Sequence, residues 1–303
     1  MNRTQLPTPA DVREAEARVR PHVRRTPLLD VEVDGRRVLL KLEHLQLSGS
    51  FKLRGAVNAL LAAGRADHVV AASGGNHGLA VATAAGLLGT KATIYVPETA
   101  PSAKVTRIES AGADLVRHGQ TFAQAAALAR ATAAEHGHPF LHAYDDPAVI
   151  PGQGTVGAEI VADAPDADTL VVATGGGGLA AGTALAADGR HVVSVEPEHC
   201  CCLHEAFAAG EPVDATVDSV AASALGASRA GDLPFAVLRA HGAASVLVDD
   251  TQILAARDRL WDAFRIAVEP AAAAPFAAWL AGRVPGELPC LVLCGANSTW
   301  QPA

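Results

Sequence analysis

Short runs of β-branched and aliphatic residues alternate along the chain with longer alanine-rich stretches. Eight of the runs read as strands: "RVLLKLE" from Arg37, "HVVAAS" from His68, "KATIYVP" from Lys91, "ADLVRHG" from Ala113, "TLVVAT" from Thr169, "HVVSVEP" from His191, "ASVLVD" from Ala244 and "CLVLCG" from Cys290. Between most of them apolar positions recur at helical spacing, as over Asn76 to Leu88, Ala103 to Ala111, Phe122 to His136 and Thr251 to Phe264. Strand, glycine turn, helix, strand predicts an α/β fold of mostly parallel sheets covered by helices on both faces. The many alanines are strong helix formers that allow close packing. There is no fixed-period repeat and no low-complexity linker.

Three of the runs end directly in glycine-rich or polar turns, "SGGNHG", "TGGGGL" and "CGANST". In open α/β sheets ligands gather at the carboxyl ends of strands, so these turns can converge on one ligand.

Composition narrows the class of ligand. With 303 residues, half of them apolar and 18% charged, the chain can bury a sizeable core. A net charge of −8 argues against nucleic acid or an anionic membrane as the main partner. The first residues are charged throughout and lack the apolar segment of an export signal, and no apolar run is long enough to span a bilayer. The cysteines are Cys200, Cys201, Cys202, Cys290 and Cys294, an odd number with three adjacent, which fits neither a disulfide framework nor a zinc template. A reducing, cytoplasmic location is the expectation.

The strand-end turns carry the chemistry. "ATGGGGLAAG", Ala173 to Gly182, places four glycines between an apolar strand and a helix. Glycines let backbone N–H groups encircle a phosphate, and the helix N-terminus adds a favourable field. A tight turn alone needs only two. The spacing is not G-x-G-x-x-G and no P-loop lysine follows, so a phosphate monoester fits better than a dinucleotide or a nucleoside triphosphate. "ASGGNHG", Ala72 to Gly78, offers Ser73, Asn76 and His77 at the mouth of another helix, where capping alone is an equal competitor. "SGSFKLRGA", Ser48 to Ala56, sets Lys52 among small residues. Read locally it is a surface lysine or a catalytic amine. Cys294 at a strand end reads by itself as a small buried hydrophobe. A phosphate cradle, an amine and polar strand-end turns together are what an enzyme needs to hold pyridoxal phosphate as a Schiff base.

In order along the chain, "RTPLL", "SGSFKLRGA", "SGGNHG", "PGQGTVGAEI", "TGGGGLAAG", "SVEPE", "AVEPA" and "CGAN" resemble the fold-type II pyridoxal-phosphate enzymes, within them the serine/threonine dehydratase and serine racemase group. The match runs from Arg25 to Asn297. The resemblance implies a two-lobed, tryptophan synthase β-like fold. Its large cofactor-binding lobe would comprise residues 1–64 and 145–303, and its smaller mobile lobe residues 65–144. It also implies the roles of single residues. Lys52 would carry the cofactor and, once freed, take the Cα proton, with Phe51 flanking the ring. Asn76 would bond the ring's phenolic oxygen, and Gly175, Gly176, Gly177 and Gly178 would hold the phosphate. Ser73, Gly75, Asn76 and His77 would receive the substrate carboxylate. Cys294 would face the pyridine nitrogen, Glu269 would lie near the ring, and Glu196 would match the carboxylate of a structural cation site for potassium, magnesium or calcium. The implied reaction is β-elimination on a small amino acid such as L-threonine or L-serine, giving a 2-oxo acid and ammonia, in a homodimer.

Several positions depart from that pattern. Racemising relatives carry a second serine where this chain has Gly74, so elimination is expected over racemisation. Ser223 stands where a pocket aspartate is usual, and Ala272 where a glycine is. Pro275 is expected to interrupt the helix pattern. Cys202 replaces an oxygen ligand of the cation site, and a thiol is a weak partner for hard cations, although His199 and His204 leave a soft metal open. Nine residues follow Cys294, too few for the carboxy-terminal regulatory domain of biosynthetic threonine deaminases. The rivals are a serine racemase or β-replacement enzyme on the same fold, and a non-catalytic amino-acid sensor. A nicotinamide-dependent dehydrogenase is a third, with Glu196 at ribose-binding distance but no G-x-G-x-x-G.

Overall fold

The computed structural model describes residues 6–64 and 66–300. Helix α1 (Pro9–Val19) opens with Thr8 as N-cap, whose hydroxyl accepts from the Asp11 N–H while the Asp11 carboxylate accepts from Thr8. Strands β1 (Leu28–Val33) and β2 (Arg36–Lys41) follow as a hairpin, then α2 (Lys52–Ala62). The hairpin turn has two consecutive left-handed residues, Asp34 at φ 52° and Gly35 at φ 74°, which matches the twist of paired strands. The next section runs β3 (His68–Ala72), α3 (Asn76–Leu88), β4 (Lys91–Val96), α4 (Ser102–Ser110), β5 (Asp114–Arg117), α5 (Phe122–His136) and β6 (Phe140–Leu141). The remainder comprises α6 (Val149–Asp163), β7 (Thr169–Ala173), α7 (Gly178–Ala186), β8 (His191–Pro197), α8 (Cys202–Ala209), α9 (Ala222–Leu225), α10 (Asp232–Ala240), β9 (Ala244–Val248), α11 (Asp250–Phe264), α12 (Pro270–Leu280) and β10 (Pro289–Val292).

Two sheets organise these elements, ordered β1-β2-β10-β7-β8-β9 and β5-β4-β3-β6. Among these strands only β1–β2 pair antiparallel; every other pairing is parallel. The fold is therefore α/β with parallel sheets flanked by helices. Residues of β7, such as Leu170, Val171 and Val172, are fully buried because helices cover both faces. Among the described residues no helix is long and apolar enough to cross a membrane.

The strands of the four-stranded sheet all lie between residues 68 and 141, inside the 65–144 stretch assigned to the smaller lobe. The boundary residue Arg65 lies outside the described residues. Helix α2 crosses that division: it precedes residue 65, yet Leu53, Ala56, Val57 and Leu60 pack into the smaller core with Val81 and Ile94. The expectation that Pro275 breaks a helix is corrected. Helix α12 runs through it, because this alanine-rich helix is buried along its length and tertiary packing outweighs the one backbone donor that proline lacks.

Candidate active site

The strand-end turns do converge. An isolated bridge between Ser50 and Gly295, and the Phe51 N–H donating to the Cys294 carbonyl at 3.1 Å, fasten the "GSFK" segment to the turn after β10. Helix α2 then starts at Lys52, so its amine projects into a cleft of about 440 Å³ lined also by Asn76, Gly176, Glu269 and Cys294. Lys52 Nζ donates to the Ala143 carbonyl at 2.7 Å and lies 5.0 Å from the centre of the Phe51 ring. The stem keeps some exposure to the cleft, but burial of the amine lowers its pKa to about 8. The buried Cys294 thiol is pushed well above its ordinary value by the same effect, with the charge of Glu269 adding to it.

The glycine run leaves β7 and becomes the first turn of α7. Added side chains have no room: a Cβ on Gly175 would meet the Leu225 carbonyl at 2.9 Å, and one on Gly176 would run into the Tyr144 ring. Gly177 sits at φ 94°, a left-handed conformation that favours glycine. The loop carbonyls are engaged from behind. Gly175 O accepts from the Cys202 thiol at 3.4 Å and Gly176 O from the Gly231 N–H at 3.1 Å. The N–H groups at the start of α7 have no intrahelical acceptor and are the ones a phosphate cradle would use.

In the loop before α3, Ser73 Oγ accepts from the Gly75 N–H at 3.2 Å. Asn76, the first residue of α3, donates Nδ2 to Glu269 Oε1 at 2.7 Å and accepts from Asn297 Nδ2 at 2.9 Å. A carboxylate only accepts, so these contacts fix which way the Asn76 amide points. The His77 ring turns inward, its Nε2 3.1 Å from the Leu141 carbonyl, and burial depresses its pKa to about 3. A neutral, inward ring offers no charge to an anion in the cleft, which leaves the residue's backbone N–H. Of the carboxylate-site candidates, Ser73, Gly75, Asn76 and His77 all line the cleft, with the Gly75 N–H already turned to Ser73.

Glu196 stands elsewhere. Fully buried at the end of β8, it accepts the Leu203 N–H at 2.9 Å on one oxygen and the His204 N–H at 2.8 Å on the other, capping α8 from a distance. Burial outweighs these two donors and raises its pKa to about 8. The adjacent thiols each donate to a different carbonyl, Cys200 to Leu225 and Cys201 to Glu198 at 3.3 Å each, and Cys202 to Gly175. Among the described residues no cluster of three His, Cys, Asp or Glu side chains could hold a metal.

Two features escape sequence reading. Tyr144 packs across the cradle from the turn after β6, its hydroxyl donating to the Arg229 carbonyl at 3.3 Å, and burial raises its pKa to about 12. The only local signal is an aromatic residue after a strand of two residues, too short for periodicity to show. The other is a buried ion quartet built on Arg54, two residues after Lys52. Arg54 donates through Nε and Nη2 to Glu43 at 2.8 and 2.7 Å and through Nη1 to Glu159 at 2.7 Å, and Lys41 Nζ lies 2.6 Å from Glu159. Thr26 adds a hydrogen bond to Glu43.

A buried amine, a glycine cradle whose carbonyls face away and an oriented amide fit a phosphate ester bearing an aldehyde. The comparisons agree. Residues 19–295 match the family described as pyridoxal-phosphate dependent enzyme. The chain is 36% identical over 286 residues to the catabolic L-threonine dehydratase TdcB of Staphylococcus aureus strain USA300, covering 90% of this chain and 83% of that protein. It is also 36% identical over 300 residues to the L-threonine ammonia-lyase of Geobacter sulfurreducens, covering 94% and 74%. Among solved structures, the T.th. threonine deaminase superposes with a TM-score of 0.92 at 35% identity, over 98% of this chain and all of that one. Maize serine racemase follows with a TM-score of 0.89 at 30% identity, over 97% and 94%.

Proposed function

The chain belongs to the pyridoxal-phosphate dependent enzymes, and on that premise we propose that it converts a small hydroxyamino acid, L-threonine or L-serine, into a 2-oxo acid and ammonia. The β-hydroxyl leaves as water, and the released enamine is hydrolysed. The observation that carries this reading is the Lys52 amine in a cleft that the glycine run and the Cys294 thiol also line. The threonine dehydratases and deaminase at 35–36% identity support the same substrate class.

Pyridoxal phosphate, held by an amine, acidifies the Cα proton of a bound amino acid. The chain's own residues would do the rest. Gly175 to Gly178 and the first turn of α7 would bind the phosphate, Asn76 the ring oxygen, and Phe51 would pack on the ring. The Ser73 hydroxyl and the backbone N–H of His77 would orient the substrate carboxylate. Lys52, its amine about half neutral near pH 8, would accept the Cα proton. The Cys294 thiol, held neutral by burial, gives the ring nitrogen no negative partner. Electron withdrawal into the ring is then limited, which favours β-elimination over transamination. The proposal includes closure of the 65–144 lobe over the substrate to exclude water. It also includes a homodimer, for which exposed Leu45, Leu47 and Leu87 offer apolar surface. A cytoplasmic location is part of it too, supported by five free, buried cysteines.

The test is a spectrum and an assay. Purified protein incubated with the cofactor is expected to absorb in the visible and lose that band as Lys52→Ala. It should also release 2-oxo acid and ammonia from one or more of a panel of L- and D-hydroxyamino acids. A band without turnover on any panel member would favour a sensor; a colourless protein would overturn the site.

A further inference from the structure

The run Cys200-Cys201-Cys202 takes no part in the chemistry above, yet one of its thiols touches the cradle. A trans peptide sets its C=O and the following N–H in opposite directions. Whatever holds the Gly175 carbonyl therefore also aims the Gly176 N–H, and the holder is the Cys202 thiol at 3.4 Å. The next peptide is set in the same way by the Gly231 N–H on the Gly176 carbonyl. We propose that Cys202 is a positioning residue that aims the Gly176 N–H at the cofactor phosphate, and that its turn is held by S–H···O bonds with no cation.

This inference rests on reading Gly175 to Gly178 as the phosphate cradle. Three observations support it. Cys202 is itself fixed, because it opens α8, whose Leu203 and His204 N–H groups both bond to buried Glu196. Each thiol is engaged with a backbone carbonyl: Cys200 and Cys202 each point a weak donor at a carbonyl oxygen, and Cys201 closes the turn on Glu198. Potassium, magnesium and calcium select oxygen ligands, and sulfur at these positions supplies none. The sulfurs are not a soft-metal site either, since each is directed at a different carbonyl rather than at a common centre.

Chelator-treated apo-protein is titrated with pyridoxal phosphate in sodium buffer, and then with potassium, magnesium or calcium at matched ionic strength. The melting temperature is read in each condition. Wild-type dissociation constants are expected to agree within about twofold, with no cation-dependent melting shift. Cys202→Ala is expected to weaken cofactor binding by about three- to tenfold, the scale of one lost hydrogen bond. Cys202→Ser, which keeps a donor, should recover most of that loss. Cys202→Asp should become cation-dependent, binding the cofactor tightly only with magnesium or calcium. A cation that tightens wild-type binding or raises its melting temperature would overturn the inference, and so would an unchanged constant for Cys202→Ala. If Cys202→Asp fails to fold, the alanine and serine pair still decides. Wild-type protein that takes up no cofactor at all refutes the site reading instead.

Discussion

Raising the pH through the neutral range probes the surroundings of Lys52 directly. Burial lowers the pKa of its ammonium from 10.5 to about 8, because enclosing a positive charge costs free energy that the neutral amine does not incur. Cys294 opposes this only as a thiolate, and burial holds that thiol neutral across the range, so the lowering stands. At pH 7.5 about a quarter of the amines are then neutral, against roughly one in a thousand at a pKa of 10.5, about a 200-fold gain in nucleophile. The assay mixes apo-protein with excess pyridoxal phosphate and follows visible absorbance from about pH 6 to about pH 10. Each rate is divided by that of Nα-acetyl-lysine at the same pH, which removes the cofactor's own titration. The normalised rate is expected to exceed unity by about two orders of magnitude at neutral pH and to fall toward a constant low value above the ordinary lysine range. A ratio flat across the whole range would refute the burial argument, because it would mean that Lys52 titrates like a solvated amine.

Two further substitutions test the scaffold and the choice of reaction. Arg54→Met leaves Glu43 and Glu159 buried with one cation between them. It is expected to cost about 3–5 kcal/mol and lower the melting temperature on the order of 10 °C, read by calorimetry. Burial alone would raise the Glu43 pKa, but Arg54 and Thr26 outweigh it and hold it below the carboxylate range. In the wild type this contribution is therefore present above the unfolded carboxylate pKa and lost as the pH falls through the depressed folded value. Gly74→Ser should fold as well as wild type, since an added Cβ meets only Val96 and Ala100 at 3.7 and 3.8 Å. It should also raise D-serine formation from L-serine, measured by chiral chromatography; a variant that folds and forms no more D-serine than wild type would show that this hydroxyl is not the limiting group.

Local pattern carried the sheets a long way. The eight runs that read as strands all occur as strands, and α3 and α5 have the predicted limits, because parallel strands buried on both faces are nearly unbroken apolar runs and their helices have clean ends. β1 was missed because "LLDVEV" mixes exposed and half-buried positions on a sheet edge, and β6 because two residues carry no period. The site was legible where glycine spacing exposes backbone, and opaque where partners are distant in sequence. Arg54 and Lys41 look like solvated charges until Glu43 and Glu159, 11 and 105 residues from Arg54, close around them. That Glu196 also receives two N–H groups of a later helix, one on each oxygen, could not be read from a lone carboxylate at a strand end.

The same distance in sequence explains how the cleft is tied together. Asn76 begins a helix packed on the four-stranded sheet, yet its amide is bonded on one side to Glu269, the N-cap of α12, and on the other to Asn297, beyond β10. Asn297 in turn donates to the Ser48 carbonyl at 2.8 Å, next to the segment that carries Lys52. Any closure that moved Asn76 bodily would break both bonds and take one donor from a buried carboxylate, which costs more than a typical hydrogen bond contributes. In the proposed closure, the low-cost motion would pivot at Asn76 and swing the rest of its lobe. Ser73 and the Thr99–Pro101 turn line the cleft on the side that would move. The pivot and Lys52 would stay in register with each other, so closure would bring groups to the substrate without disturbing the amine that reacts with it.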